Sequence, residues 1–322
     1  MANPTCVIGL DVGNTRLTAA VVNGRGETLA HWEQANPRAE GAAAGLAALQ
    51  AMVARAREQA PEAAAIGIGF GGPVDLSTGL IRRSHHTSGW EGVALAEVLG
   101  AASGLPAYLD NDANAGGLGE ALFGAGRGVD SLLYVNVGTG IGGAVIIGGH
   151  IHHGAHSNAG EIGHVVVTLD FGPVCTCGKL GCLEAWASGD ALGAAARQAA
   201  DEGRLAGSSL AATAAEDLTG RSVATAASAG DAAALAILQT AGRYLGVALA
   251  AAANVLDPAL VVVGGGVSEG NPPYLEAARQ SFAACATPPV AAGTAVVPAL
   301  LGYQAGVVGA AAIALQALNA VE

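Results

Sequence analysis

Leu132-Leu133-Tyr134-Val135-Asn136-Val137-Gly138-Thr139-Gly140-Ile141-Gly142-Gly143-Ala144-Val145-Ile146-Ile147-Gly148-Gly149 is the run whose reading decides the fold. Its centre, Gly138 to Gly143, satisfies the dinucleotide pattern Gly-x-Gly-x-x-Gly. That pattern receives a pyrophosphate only where it opens a helix. Here Ala144 to Ile147 and a Gly-Gly turn follow it, so the run predicts strand, glycine turn, strand, turn. The Rossmann reading fails on this context. A Walker A loop is excluded as well, because Lys179, the only lysine, lies elsewhere in the chain.

The same pattern occurs once more. A shift of 125 residues lays Asp11-Val12-Gly13 on Asn136-Val137-Gly138, Ala19 on Ala144, Val21-Val22 on Ile146-Ile147 and Gly24 on Gly149. Both halves thus open with strand, polar glycine turn, strand, glycine turn. Two turns bare of side chains suit a polyphosphate held by backbone N–H groups.

Around these hairpins, strands alternate with helices, which predicts an α/β chain. Strands are expected at Cys6 to Leu10, Leu17 to Val22, Ala65 to Phe70, Ala107 to Leu109, Leu260 to Val263 and Thr294 to Val297. Helices are expected over Glu40 to Ala60, Ala94 to Leu99, most of Ser188 to Ala253, and Gly306 to Leu318. Ser188 and Ser228 are expected caps.

Of the 322 residues, 52% are hydrophobic and 4% aromatic, and the formal net charge is −12. A core is affordable at that composition, and an acidic surface argues against nucleic acid or anionic membrane as a partner. The most apolar stretch, Leu245 to Val263, is interrupted by Asn254, Asp257 and Pro258, so no spanning helix is expected. The N-terminus lacks a charged region followed by an apolar core, and a soluble cytoplasmic protein is the expectation.

Three of the five cysteines fall in Cys175-Thr176-Cys177-Gly178-Lys179-Leu180-Gly181-Cys182, with His164 upstream. Three thiolates and an imidazole are the ligand set of a tetrahedral structural Zn²⁺. Gly178 and Gly181 let the loop fold back on itself. Buried apolar cysteines are the bland alternative. A disulfide suits neither the odd count nor the lack of a secretory signal. Four protein ligands leave no open position for catalysis, and the acidic charge disfavours a DNA-binding module. Glu161 and Glu184 flank the cluster, and a carboxylate pair held beside a metal knuckle suggests a polyhydroxylated substrate.

Other motifs carry two readings each. Asp11-Val12-Gly13-Asn14-Thr15 is either an Asx turn or a carboxylate that holds Mg²⁺ through water beside a phosphate. Asp110-Asn111-Asp112 is either a helix cap cluster or a general base with an orienting amide, and the two are compatible. Gly71-Gly72-Pro73-Val74-Asp75 is a rigid turn that could present backbone groups to a ligand. Adjacent side chains on a strand point apart, so His85-His86 and His152-His153 read as surface or cleft residues and not as metal sites.

Taken in order, these motifs resemble the ROK family of sugar kinases and sugar-responsive repressors. The resemblance runs through 11–15, 71–75, Asn111-Asp112, 136–143, Glu161-x-Gly163-His164, the knuckle with Glu184, and Gly264-Gly265-Gly266. It implies an actin-like, hexokinase-like (ribonuclease H-like) α/β fold with two lobes around a central cleft. The expected division is 1–112 plus 303–322 for the smaller lobe and 113–302 for the larger, knuckle-bearing one. By position, Asp112 resembles the base that takes the proton from a sugar 6-hydroxyl. Asn111, Glu161, His164 and Glu184 resemble the other sugar ligands. His164, Cys175, Cys177 and Cys182 resemble the zinc set, with the second ring nitrogen of His164 on the sugar. Asp11, Gly13, Asn14, Thr15, Gly138, Thr139 and Gly140 resemble the phosphate grip, and Gly265 and Gly266 the adenosine side.

The implied activity is transfer of phosphate from ATP, with Mg²⁺, to a hexose, with glucose first. An N-acetylhexosamine, fructose or allose kinase is the alternative within the class. A repressor or a non-catalytic sugar-binding protein is the alternative outside it. The former needs a helix-turn-helix ahead of the first phosphate turn, which this sequence reaches at Asp11; the latter is disfavoured by the presence of Asp112 and both turns. A homodimer or higher homo-oligomer is expected. Two positions depart from the family pattern. Asn14 and Arg16 replace a Gly and a Lys, with Asn14 expected to tolerate left-handed backbone. His86 takes the place of an Asn ahead of Gly89-Trp90.

Overall fold

The computed structural model describes residues 5–76, 78–84, 87–319 and 321. His86 lies outside the described residues, as does His85. In chain order, the first half contains β1 (Cys6–Val12), β2 (Arg16–Asn23), β3 (Thr28–Ala35), α1 (Ala42–Gln59), β4 (Ile66–Phe70), β5 (Val74–Asp75), β6 (Leu80–Ile81), α2 (Leu95–Ser103), β7 (Ala107–Asn111) and α3 (Asp112–Phe123). Then come β8 (Ser131–Val137), β9 (Ile141–Ile147), β10 (His150–Ile151), α4 (Leu183–Ala187), α5 (Gly189–Asp201), α6 (Gly220–Ser228) and α7 (Ala232–Leu256). The chain closes with β11 (Leu260–Gly264), α8 (Gly266–Glu269), α9 (Pro272–Cys285), α10 (Pro288–Gly293), β12 (Ala295–Pro298) and α11 (Ala305–Ala317). Two compact units result. One comprises Met1–Gly128, Ala144–Ala159 and Tyr303–Glu322, and the other Val129–Gly143 and Gly160–Gly302.

In the first unit the sheet order is β3-β2-β1-β4-β7. β1, β2 and β3 form an antiparallel meander, and β4 and β7 join β1 in parallel. β1 and β4 are buried along nearly their whole length, which is why their sequences read as unbroken apolar and glycine runs. β3, at the edge, alternates half-buried and exposed residues over most of its length.

α11 lies on this sheet at backbone contact distance. A Cβ built on Gly67 of β4 would collide with the Ala310 carbonyl oxygen of α11. Any side chain there must push a helix backbone, which has no rotamer to yield. Gly67→Ala is therefore expected to destabilise by at least the ~1–3 kcal/mol of ordinary overpacking. A urea midpoint equal to that of the parent would mean that α11 is not seated on β4.

The second glycine run is a hairpin, as its context predicts, with β8 continuing into β9 and no helix between them. β11 pairs with β8 and β12 with β11, both in parallel, and β10 pairs with the end of β9. The order is β10-β9-β8-β11-β12, the same pattern as the first sheet. Moving β1 by the 125-residue repeat gives the bounds of β8, and moving β2 gives those of β9 to within one residue.

The helical stretch after Ser188 differs in detail from its expectation. Ser188 caps α5 by accepting from Ala191 N (3.2 Å). Ser228 caps nothing: it ends α6, and its hydroxyl donates back to Ala224 O (3.0 Å). The cap of α7 is Asp231, whose carboxylate accepts from Ala233 N and Ala234 N and from Ser208 and Ser209. Those backbone and hydroxyl donors hold its carboxyl well below the usual carboxylate range. The apolar stretch from Leu245 is split, because Asp257 ends α7 in left-handed backbone (φ 45°) before Pro258. α7 by itself is long and apolar enough to cross a bilayer. Its Gly242 and Gly246, however, seat against the backbone of Tyr274 and Ala278 on α9, the packing of a core helix.

Candidate active site

The residues that the family resemblance marks as ligands of sugar, phosphate, adenosine or zinc fall into two sets, one per unit. Asp11, Gly13, Asn14, Thr15, Asn111 and Asp112 belong to the first, and the remainder to the second.

In the first unit, β7 runs straight into α3, and the junction is Asp110-Asn111-Asp112. Asn111 is the cap: its Oδ1 accepts from Ala113 N (2.9 Å) and Asn114 N (3.2 Å). Its Nδ2 donates to Gly72 O (3.3 Å), so the Gly71-Gly72-Pro73 turn braces the amide. Asp112 begins the helix, and its Oδ1 also accepts from Ala113 N (2.9 Å). Gly71 lies against it; a Cβ there would sit 3.4 Å from Asp112 Oδ2. The cap of this tripeptide is thus Asn111, with Asp112 the residue that follows it into the helix.

Asp11, near the end of β1, faces the same corner. Burial and the neighbouring Asp112 carboxylate push it up to about 7. Two carboxylates held together are relieved by a cation, so the donor set fits Mg²⁺. Gly13 O accepts from Asn36 Nδ2 (2.8 Å), Thr15 O from Asn36 N (3.0 Å), and Asn14 Oδ1 from Arg38 Nη1 (3.1 Å). Among the described non-glycine residues only Ser157, Asp257 and Asn319 have positive φ. Asn14 therefore does not use the left-handed backbone expected of it. Arg16 pairs with Glu33 on β3 (3.0 Å) in an exposed cross-strand salt bridge.

In the second unit, Gly138 N donates to Gly140 O (2.9 Å), closing the tight turn. The carbonyls of Gly138 and Thr139 accept from Gly189 N (2.8 Å) and Asp190 N (3.2 Å) at the start of α5. Gly265, at φ 91°, abuts the end of β8, where a Cβ would meet Asn136 Oδ1 and Val137 O at 2.5 Å. This brings Gly265 and its neighbour Gly266 beside the turn. Gly265 N donates to Glu269 Oε1 (3.0 Å).

The knuckle folds as its glycines predict: Gly178 (φ 85°) and Gly181 (φ 73°) occupy left-handed backbone. The donor atoms of His164, Cys175, Cys177 and Cys182 all lie within 4.8 Å of one another. Cys177 Sγ is 3.6 Å from Cys182 Sγ, and His164 Nδ1 is 3.6 Å from Cys175 Sγ. Burial, then the adjacent thiols, push Cys182 up to about 12. A thiol so placed ionises when a cation compensates it, and the set fits Zn²⁺. The other ring nitrogen of His164 points the opposite way, 3.9 Å from Glu161 Oε2. Glu184, in the first turn of α4, accepts from Thr176 Oγ1 of the knuckle (3.1 Å) and from Ile141 N just after the glycine turn (3.0 Å). Gly140 leaves it room, since a Cβ there would be 2.6 Å from Glu184 Oε2.

Sequence reasoning missed two things. It set His153 aside as a surface or cleft residue; His153 Nε2 is 2.7 Å from the buried Asp110 Oδ2. That hydrogen bond raises His153 above its ordinary range. It also treated Asp11 and Asp112 as separate motifs. No local signal marks either pair.

The ROK family model matches residues 7–317. A glucokinase of Halalkalibacterium halodurans is 36% identical over 98% of this chain and 96% of its own length. The ROK hexokinase of Thermus thermophilus has a TM-score of 0.83 at 34% identity, covering 98% of this chain and 99% of that one. A ROK family glucokinase of Streptomyces griseus, solved with glucose and AMPPNP, gives 0.81 at 35%, covering 97% and 99%. Sequence and fold agree from end to end: the chain belongs to the ROK family and has its actin-like, hexokinase-like α/β fold.

Proposed function

We propose that the chain is a sugar kinase that transfers the terminal phosphoryl group of ATP to the 6-hydroxyl of glucose. The observation that carries this reading is the β7–α3 corner. There the capping, braced Asn111 and the carboxylate of Asp112 stand beside Asp11, in a chain whose relatives include glucokinases along its whole length.

Phosphoryl transfer asks a protein chiefly for positioning and charge management. In this reading Asp112 accepts the proton of the 6-hydroxyl as the oxygen attacks. Asn111, Glu161, His164 and Glu184 pair with the remaining hydroxyls and fix the sugar's orientation. Asp11, Gly13, Asn14 and Thr15, with Gly138, Thr139 and Gly140, hold the phosphates, and Gly265 and Gly266 border the adenosine. Mg²⁺, held near Asp11, supplies neutralisation of phosphate charge. Zn²⁺, held by His164, Cys175, Cys177 and Cys182, supplies rigidity to the frame of Glu161 and Glu184 and no bond-making chemistry. Association into a homodimer or larger homo-oligomer and a cytoplasmic location complete the reading.

Glucose is preferred over acetylated sugars because the four proposed ligands are all polar and suit hydroxyls. An epimer that leaves one of them unpaired loses about 1–3 kcal/mol. The test is a coupled assay of glucose, N-acetylglucosamine, N-acetylmannosamine and fructose, with ATP and with polyphosphate. Glucose with ATP is expected to show the highest kcat/KM. An acetylated sugar ahead by about tenfold, roughly 1.4 kcal/mol in transition-state binding, overturns the glucose assignment and leaves the kinase standing. No transfer to any sugar from either donor overturns both.

A further inference from the structure

Asp110 is engaged through both of its carboxylate oxygens, and it is not one of the proposed substrate ligands. It is buried at the last-but-one residue of β7. Oδ1 accepts from Asn111 N (2.7 Å) and from Asn114 Nδ2 (2.8 Å), one helical turn into α3. Oδ2 is 2.7 Å from His153 Nε2. His153 is itself only 34% exposed and follows the β10 strand, with its carbonyl accepting from Ala159 N (3.1 Å).

We propose that His153 is a positioning residue for phosphoryl transfer, acting through Asp110 on the corner that carries Asn111 and Asp112. The inference rests on the reading of Asp112 as base. Asp112 is the first residue of α3, directly after the last residue of β7. Ala113 N is shared between Asn111 Oδ1 and Asp112 Oδ1. The angle at which β7 hands over to α3 therefore sets the direction of the Asp112 carboxylate. Asp110 spans that handover, with one oxygen on both sides of it. A carboxylate with a single charged-type donor on its second oxygen swings about its Cβ–Cγ bond once that donor is removed. His153 supplies that donor, and its hydrogen bond with a buried carboxylate is of the strong, short kind. Loss of the donor also leaves a buried oxygen without a partner, which favours local rearrangement.

The experiment compares His153→Leu, His153→Gln and Asp112→Asn with the parent, in the full chain. Glutamine keeps an N–H donor at about the reach of Nε2, and leucine keeps bulk without one. Turnover and KM for glucose are measured together with glucose binding by tryptophan fluorescence and thermal midpoint. His153→Leu is expected to lose on the order of 10–10²-fold in kcat, the scale of a misplaced reacting group. Glucose binding should change much less, because Asn111 is pinned separately to Gly72 O. His153→Gln is expected to recover most of the loss. Parental kcat in His153→Leu overturns the proposal. So does a fall in kcat, glucose binding and thermal midpoint together that glutamine does not rescue, which is the signature of a merely structural side chain. Asp112→Asn separates the two layers: if it retains turnover, the base reading fails whatever His153 does, and if it is inactive while His153→Leu is not, only this inference fails.

Discussion

Asp112→Asn is expected to fold as the parent does and to transfer phosphate about 10²–10⁴-fold more slowly, the usual contribution of a general base. Folding should survive because the cap of α3 is Asn111, not Asp112, and because Asn keeps an oxygen for Ala113 N. Burial is the main cause that raises Asp11, and the substitution removes the second, the Asp112 charge. Asp11 then ionises at lower pH than in the parent. The proton acceptor is lost while the cap and backbone of the corner are kept. The prediction is therefore a collapse of kcat with glucose and nucleotide binding largely intact. Single-turnover rates and equilibrium binding of glucose, measured on the same preparation, check it. Near-parental turnover would falsify the role of Asp112. Asp110 is not the ready substitute that its place in the sequence suggests, since both of its oxygens are engaged.

The second large effect is expected at the knuckle. Protein purified without added metal should carry one zinc per chain by elemental analysis, and Cys177→Ser should lose it. Cys177 is the informative choice because it is exposed, whereas Cys182 is fully buried. Replacing Cys182 would mix loss of a ligand with damage to the core. Structural zinc contributes on the order of 10–16 kcal/mol to small sites at neutral pH, so a lost ligand should release the loop. The consequence extends to glucose. Glu184 is held on one side by Thr176 of the knuckle, and His164 is one of the four donors. Sugar affinity and metal content should accordingly fall together, while nucleotide binding, which the reading places on the glycine turns, falls less. A zinc-free preparation that is folded and fully active defeats the prediction.

What could be read in the sequence shares one physical property. The two glycine hairpins, the rejection of a Rossmann helix, the cap at Ser188 and the cysteine knuckle all depend on residues within about one turn or one hairpin of each other. Turn chemistry, strand alternation and ligand spacing act at that range. The 125-residue repeat was legible for the same reason, because each copy is local.

What only the tertiary structure decided involves partners brought together by sheet order and packing. Asp110 and His153 are 43 residues apart and meet across elements whose pairing no local pattern announces. Asp11 and Asp112 meet because β1, β4 and β7 lie side by side in parallel, with the turn at Gly71 between them. Gly67 reads as one more glycine in a glycine-rich chain until α11, from the far end of the sequence, comes to rest on it. Ser228 was the expected cap by residue type, but Asp231 caps α7 with one carboxylate oxygen while the distant Ser208 and Ser209 hold the other. Short-range forces specify which turns and caps are possible, and burial of the two sheets selects which distant carboxylates, imidazoles and helices share a corner.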